Sequence, residues 1–78
     1  MDNKAIRKKE RIKRFKRIAS KRTDLILHYL SLLSNCSNKS AYSYNEDDIR
    51  KIFTVIDEQL RITKAKFKRR KSKNKFKL

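Results

Sequence analysis

The sequence predicts an all-α protein: an antiparallel two-helix hairpin that dimerises into a four-helix arrangement and ends in a basic C-terminal tail. Three observations support this fold class. The 78 residues include no glycine and no proline, on which tight turns between strands depend. Two segments repeat apolar residues at helical spacing on either side of a polar stretch. A chain this short seldom buries enough apolar surface alone, so a second copy is expected to complete the core.

Residues 4–33 predict the first helix, because they contain no helix breaker. A stripe with the spacing of a packing helix follows Ile12, Phe15, Ala19, Arg22, Ile26, Tyr29 and Leu33. Arg22 interrupts its apolar character. Either the stem of Arg22 lies along the apolar surface while its head reaches water, or it marks the border between a packed half and a binding half. Positive charge in residues 4–9 faces the positive end of the helix dipole, so this end is expected to fray.

Residues 34–45 break the helical spacing and predict the connector of the hairpin. Serine and asparagine dominate this stretch, and their side chains hydrogen-bond readily to the local backbone. Asn35 and Asn38 are expected to adopt a left-handed cap, because no glycine is present to do so. Folding back here pairs Ile26 with Phe53, Ala19 with Leu60, and Ile12 with Phe67.

Residues 46–67 predict the second helix. Asn45 is a favoured N-cap, and Asp48 stands where a capping box places its acidic residue. Tyr44 and Ile49 occupy the two positions of a hydrophobic staple. One stripe continues at steps of four and three through Ile49, Phe53, Ile56, Leu60, Thr63 and Phe67. Three pairs of opposite charge lie four residues apart and are expected to form ion pairs: Glu46 with Arg50, Asp47 with Lys51, and Asp57 with Arg61.

Residues 1–67 therefore form the predicted hairpin, and residues 68–78 form a basic tail that either extends the second helix or is disordered. The formal net charge of +16 is concentrated at the two ends. Residues 1–22 hold eleven Lys and Arg against two acids, residues 23–60 hold three against six, and residues 61–78 hold ten against none. In a hairpin, the two basic ends would lie side by side as one positive pole.

This pole predicts nucleic-acid binding, since cation contacts to phosphate supply most affinity that does not depend on base sequence. The candidate contacts are Arg7, Lys8, Lys9, Arg11, Arg14 and Arg17 in the first helix, and Lys64, Lys68, Arg69, Arg70 and Lys71 in the second. Phe76 lies between two lysines, a pattern that can stack an unpaired base, although a disordered phenylalanine fits equally well. The alternative is that these basic segments form a solvated surface that only keeps the protein soluble.

Several classes of function find no support in the sequence. Cys36 has no predicted catalytic base beside it, and the acidic residues that begin the second helix are explained by capping. One histidine and one cysteine do not assemble a metal site, so neither an enzyme nor a cofactor is expected. The longest aliphatic run, residues 25–27, is far too short for a membrane span or a signal peptide. A lone cysteine suits a reducing compartment, and the predicted location is the cytoplasm.

Three stretches are similar to a family of short basic proteins found on plasmids, phages and conjugative elements of low-GC Gram-positive bacteria. They are Leu32-Leu-Ser-Asn-Cys-Ser-Asn-Lys-Ser, Tyr42-Ser-Tyr44 and Asp48-Ile-Arg-Lys-Ile-Phe53. The resemblance covers residues 17–67, and Ser34 stands where the family more often has glycine. It implies a bacterial, cytoplasmic setting and service to a mobile element, and it carries no assigned activity.

The predicted function is non-catalytic nucleic-acid binding by an accessory protein, a homodimer without a membrane partner. Either DNA or RNA fits the charge pattern. An alternative is a protein-interaction module or small inhibitor that acts on a nucleic-acid-processing partner. A third hypothesis is a ribosome-associated or RNA-packing peptide.

Overall fold

The computed structural model describes residues 2–74, with side chains for residues 5–68. Within that range the regular structure is entirely helical: helix α1 (Asp2–Ser34), a 3-10 turn (Asn35–Ser37) and helix α2 (Glu46–Asn74). The predicted all-α class is therefore confirmed. The chain divides into two units, Met1–Tyr42 and Ser43–Leu78.

Helix α1 is continuous from Asp2 to Ser34, slightly longer at both ends than the predicted range 4–33. Lysine, arginine, leucine and isoleucine fill most of it, and none of these residues strongly opposes a helix. Thr23 is a weaker helix former, and its hydroxyl donates to the carbonyl of Ala19 at 2.8 Å, one turn earlier, so its polar group is bonded without interrupting the helix. The hydroxyl of Ser34 donates to the carbonyl of Ser31 at 2.7 Å and so occupies an acceptor in the last turn.

The chain leaves α1 without any left-handed residue. The 3-10 turn ends at Asn38, whose φ of −69° and ψ of 104° are extended, and no described residue has a positive φ. The predicted left-handed caps at Asn35 and Asn38 are therefore wrong. Instead, the carbonyl of Asn38 accepts from the amides of Ala41 and Tyr42 at 3.1 and 3.0 Å, while its side-chain oxygen accepts from Ser40 at 3.0 Å. These bonds close the turn at ordinary backbone angles.

Helix α2 begins as predicted, with a reciprocal capping box. The side-chain oxygen of Asn45 accepts from the amide of Asp48 at 2.8 Å, and the carboxylate of Asp48 accepts from the amide of Asn45 at 3.1 Å. Two backbone donors that the helix leaves unpaired are thereby satisfied. Tyr44 and Ile49, the predicted staple pair, are both half-buried. The helix continues past Phe67 to Asn74, through lysines and arginines that tolerate helical geometry well.

Three ion pairs lie on the described part of α2, and only one has the predicted partner. Asp47 accepts from Lys51 at 3.4 Å, as expected. Asp47 also pairs with Arg50 at 2.8 Å, where Glu46 was predicted. Arg61 pairs with Glu58 at 2.6 Å in place of Asp57. Residues three apart are also neighbours on a helix surface, and in both corrected cases this spacing brings the guanidinium to the carboxylate.

The apolar stripes of both helices are exposed to solvent in the chain itself. No residue in the range 5–68 is buried. Phe15, Ile26 and Tyr29 of α1 are each more than half exposed, as are Leu60 and Phe67 of α2. Apolar surface left in water at this scale contributes nothing to stability until it is covered.

Replacing Asn45 with alanine is expected to lower the free energy of unfolding by about 1 kcal/mol, because an amide in the first turn of α2 loses its acceptor. Thermal unfolding followed by circular dichroism measures the change. Asn45→Asp is the matched control, because aspartate caps as well as asparagine. Equal destabilisation in both variants would contradict the capping role.

Candidate nucleic-acid interface

The cations of α1 form a dense exposed set on one uninterrupted helix. Ten of the sixteen residues from 7 to 22 are Lys or Arg, and each of these ten is exposed. They are Arg7, Lys8, Lys9, Arg11, Lys13, Arg14, Lys16, Arg17, Lys21 and Arg22. All six candidate contacts predicted for the first helix belong to this set.

None of these ten cations takes part in an ion pair in the described part of the chain. Glu10 is the only acid between residues 5 and 23, and it too is absent from those pairs. In α2, by contrast, Arg50, Lys51 and Arg61 all have carboxylate partners. The hydrogen bond from Arg61 to Glu58 raises the pKa of that guanidinium. An incoming anion therefore meets cations on α1 that no carboxylate already holds.

Four arginines of this set line a single surface cleft along α1. The cleft is formed by Arg7, Glu10, Arg11, Lys13, Arg14 and Arg17. The arginines follow one another at steps of four, three and three residues, which keeps them on neighbouring turns of one side of the helix. The structure thus brings together four of the six predicted contacts of α1, while Lys8 and Lys9 lie outside the cleft.

The predicted contacts of α2 form a second group, at the C-terminal end of that helix. Lys64 and Lys68 are exposed and have no acid near them in sequence, since residues 59–78 contain none. Arg69, Arg70 and Lys71 belong to the helical backbone, and their side chains are not among those described. Phe76 lies outside the described residues.

Sequence reasoning missed several cations that belong to the same surfaces. Lys13 lines the cleft, and Lys16, Lys21 and Lys66 are exposed and take no part in the ion pairs of the described side chains. The signal that would have found them is the unbroken helical spacing of residues 4–33 and 46–67, because any charged side chain on a solvated helix is available to a partner.

The part of the chain that the structure describes holds no group of three or more His, Cys, Asp or Glu placed to bind a metal ion. Nor does that part contain a helix both long and apolar enough to cross a bilayer.

The chemistry that this arrangement offers is anion binding by guanidinium and ammonium groups on a regular scaffold. Guanidinium forks bind phosphate or carboxylate oxygens through two parallel hydrogen bonds, and ammonium groups act as point charges. The surface is positive along both basic segments and has no acid other than Glu10 within the α1 set. No protein-family model matches this chain, and neither does any curated protein or solved structure at a significant level.

Proposed function

We propose that this protein is a non-catalytic nucleic-acid-binding accessory protein that contacts phosphates through its basic residues. The observation that carries the proposal is the set of ten exposed cations on α1, none of them in an ion pair among the described residues. Arg50, Lys51 and Arg61 of α2 are already held by carboxylates. Cations left without acids suit an external polyanion better.

The energetics of α1 favour such a partner. Like charges three or four residues apart destabilise a helix by roughly 0.2–0.5 kcal/mol per pair, and α1 places Arg7 before Arg11 and Arg11 before Arg14. Lysines and arginines near its start also oppose the helix dipole. A bound phosphate backbone removes both effects and releases condensed counterions, which is the main source of affinity for nucleic acid.

The proposed assembly covers the exposed stripes. In it the connector folds back, the stripe of α1 packs against the stripe of α2, and a second copy covers what one hairpin leaves wet, giving a four-helix arrangement. The exposed stripes of both helices support this assembly, since each needs an apolar partner. Folding back would also join the two basic segments into one surface, the positive pole.

The proposed setting is the cytoplasm of a bacterium, in the service of a mobile element. This part of the proposal rests on the resemblance at residues 32–53. A further proposed partner is a nucleic-acid-processing protein of the mobile element, because accessory proteins act at the sites where such enzymes are recruited.

A gel shift tests the proposed function directly. We expect micromolar protein at low salt to shift generic DNA or RNA. The double variant Lys8→Gln/Lys9→Gln is expected to reduce the salt slope of binding by about two, roughly one for each phosphate-binding side chain that is neutralised. The matched control Arg50→Gln/Lys51→Gln removes the same charge from cations that acids already hold, and it is expected to change the slope far less. Failure of the unmodified protein to shift either nucleic acid would refute the proposal and favour a protein-interaction module.

A further inference from the structure

Arginines and lysines are not mixed evenly around the first turns of α1. At about 100° per residue, the four arginines between residues 7 and 17 fall within an arc of about 120°. They are Arg7, Arg11, Arg14 and Arg17. The lysines of the same segment lie outside that arc, and only Lys13, at its edge, lines the cleft. We call the cleft side, defined by the four arginines, the arginine face.

This separation has a chemical meaning. Guanidinium forks bind phosphate oxygens as well as base edges, so the arginine face alone fits either ligand, and the position of Glu10 decides between them. Guanidinium differs from ammonium in its rigid planar fork, which matches two acceptors at fixed separation. The O6 and N7 atoms of guanine in the major groove of DNA are such a pair of acceptors.

Glu10 supplies an independent observation on the same face. It lines the cleft together with the four arginines, and it makes none of the ion pairs found among the described side chains. A carboxylate in the middle of a phosphate-binding surface would repel the ligand. On a base edge it has a role, because glutamate accepts a hydrogen bond from the N4 amino group of cytosine. Arginine and glutamate side by side thus match the two bases of a G·C pair.

The dimensions of α1 agree with a major groove. An α-helix with its side chains is about 10–12 Å wide, and the major groove of B-form DNA is about 12 Å wide. The rise from Arg7 to Arg17 is about 15 Å, the length of about four base pairs at roughly 3.4 Å each. The corresponding groove of A-form RNA is too deep and narrow for side chains to read.

We propose that the arginine face of α1 enters the major groove of B-form duplex DNA and reads G·C pairs, with Arg7, Arg11 and Arg14 on guanine and Glu10 on cytosine. This inference rests on the proposed function and makes it narrower. The remaining cations of α1 hold the flanking phosphates, which set position and not sequence.

Charge-conserving variants separate base reading from phosphate binding. The probes are a G·C-rich duplex DNA, an A·T-rich duplex DNA of equal length, and a duplex RNA with the G·C-rich sequence, each followed by fluorescence anisotropy. The unmodified protein is expected to bind the G·C-rich DNA at least about ten-fold more tightly than either other probe. Arg7→Lys/Arg11→Lys/Arg14→Lys is expected to remove this preference at unchanged net charge.

The matched control is Arg50→Lys/Arg61→Lys, which makes the same exchange at two arginines of α2 that carboxylates already hold, and it is expected to keep the preference. Lysine and arginine have similar helix propensities, and circular dichroism verifies that both variants remain helical. Glu10→Gln adds a second readout. It is expected to reduce the difference in affinity between the two DNA probes. Pure phosphate binding instead predicts that losing this carboxylate raises the affinity for every probe by the same factor.

Equal binding of all three probes, or equal behaviour of the triple variant and its matched control, would overturn the inference and leave phosphate binding intact. Absence of binding to every probe would overturn the proposed function with it.

Discussion

Raising the salt concentration from about 50 to about 200 mM is expected to weaken binding to duplex DNA by about 10³–10⁵-fold, if roughly six to ten phosphates are contacted. The physical reason is that each neutralised phosphate releases condensed counterions, and the release of an ion is less favourable when the salt concentration is already high. Anisotropy titrations over a salt series measure the slope of log affinity against log salt. Affinity that stays constant across this range would contradict phosphate binding.

The value of that slope also tests whether the two basic segments act together. With Arg7, Arg11 and Arg14 on guanine, the three other predicted contacts of α1 give a slope of about −3, and all eight remaining cationic contacts give about −7. The second value is expected if the connector folds back to form the positive pole. A slope near the first value would leave α1 as the binding element and remove the second segment from the interface.

Replacing Phe53 with alanine is expected to lower the free energy of unfolding by about 3–5 kcal/mol, the usual cost of removing a phenylalanine from a core. Phe53 lies on the stripe of α2 and is 45% exposed in the single chain, so the effect requires the proposed packing. A domain of this size rarely has more than about 3–5 kcal/mol of stability. We therefore expect most of the helical circular dichroism signal to disappear.

Val55→Ala is the matched control, because Val55 lies off the stripe of the same helix and is 62% exposed. Alanine favours helices more than either residue, so a large destabilisation at Phe53 alone locates the packed face.

A milder pair, Phe53→Leu and Ile26→Val, tests the register of the hairpin. Residues that touch show coupling of about 0.5–3 kcal/mol in a double-mutant cycle, and strictly additive effects would place Ile26 and Phe53 apart.

The local structure was largely predictable because its causes are local. The start of α2 depends on Asn45 and Asp48 alone, and both hydrogen bonds form as the capping pattern requires. Ion-pair partners were harder to predict, since Arg50 and Arg61 each choose between carboxylates three and four residues away. The cap predicted at Asn38 was wrong because one side-chain and two backbone hydrogen bonds to Asn38 close the turn without a left-handed residue.

The cations of the candidate site could be predicted from the sequence, whereas their arrangement on the helix surface was harder to predict. The excess of Lys and Arg over acids in residues 1–22 is enough to mark Arg7, Arg11, Arg14 and Arg17 as candidate contacts. Their common side, and the place of Glu10 among them, depend on the angular position of each residue on a continuous helix. A count of charges along the chain discards that angle, which the helical spacing predicted for residues 4–33 could have supplied.

The reciprocal bonds between Asn45 and Asp48 have a consequence for the order of events during folding. They need no contact outside their own turn, and they ease the costly first step of helix nucleation. Helix α2 is therefore positioned to form early, whereas α1 starts with like charges and gains from a later docking step. In kinetic terms, Asn45→Ala should slow folding in proportion to its effect on stability, while the unfolding rate stays nearly constant. Unfolding that accelerates instead would place this turn among the last parts of the protein to form.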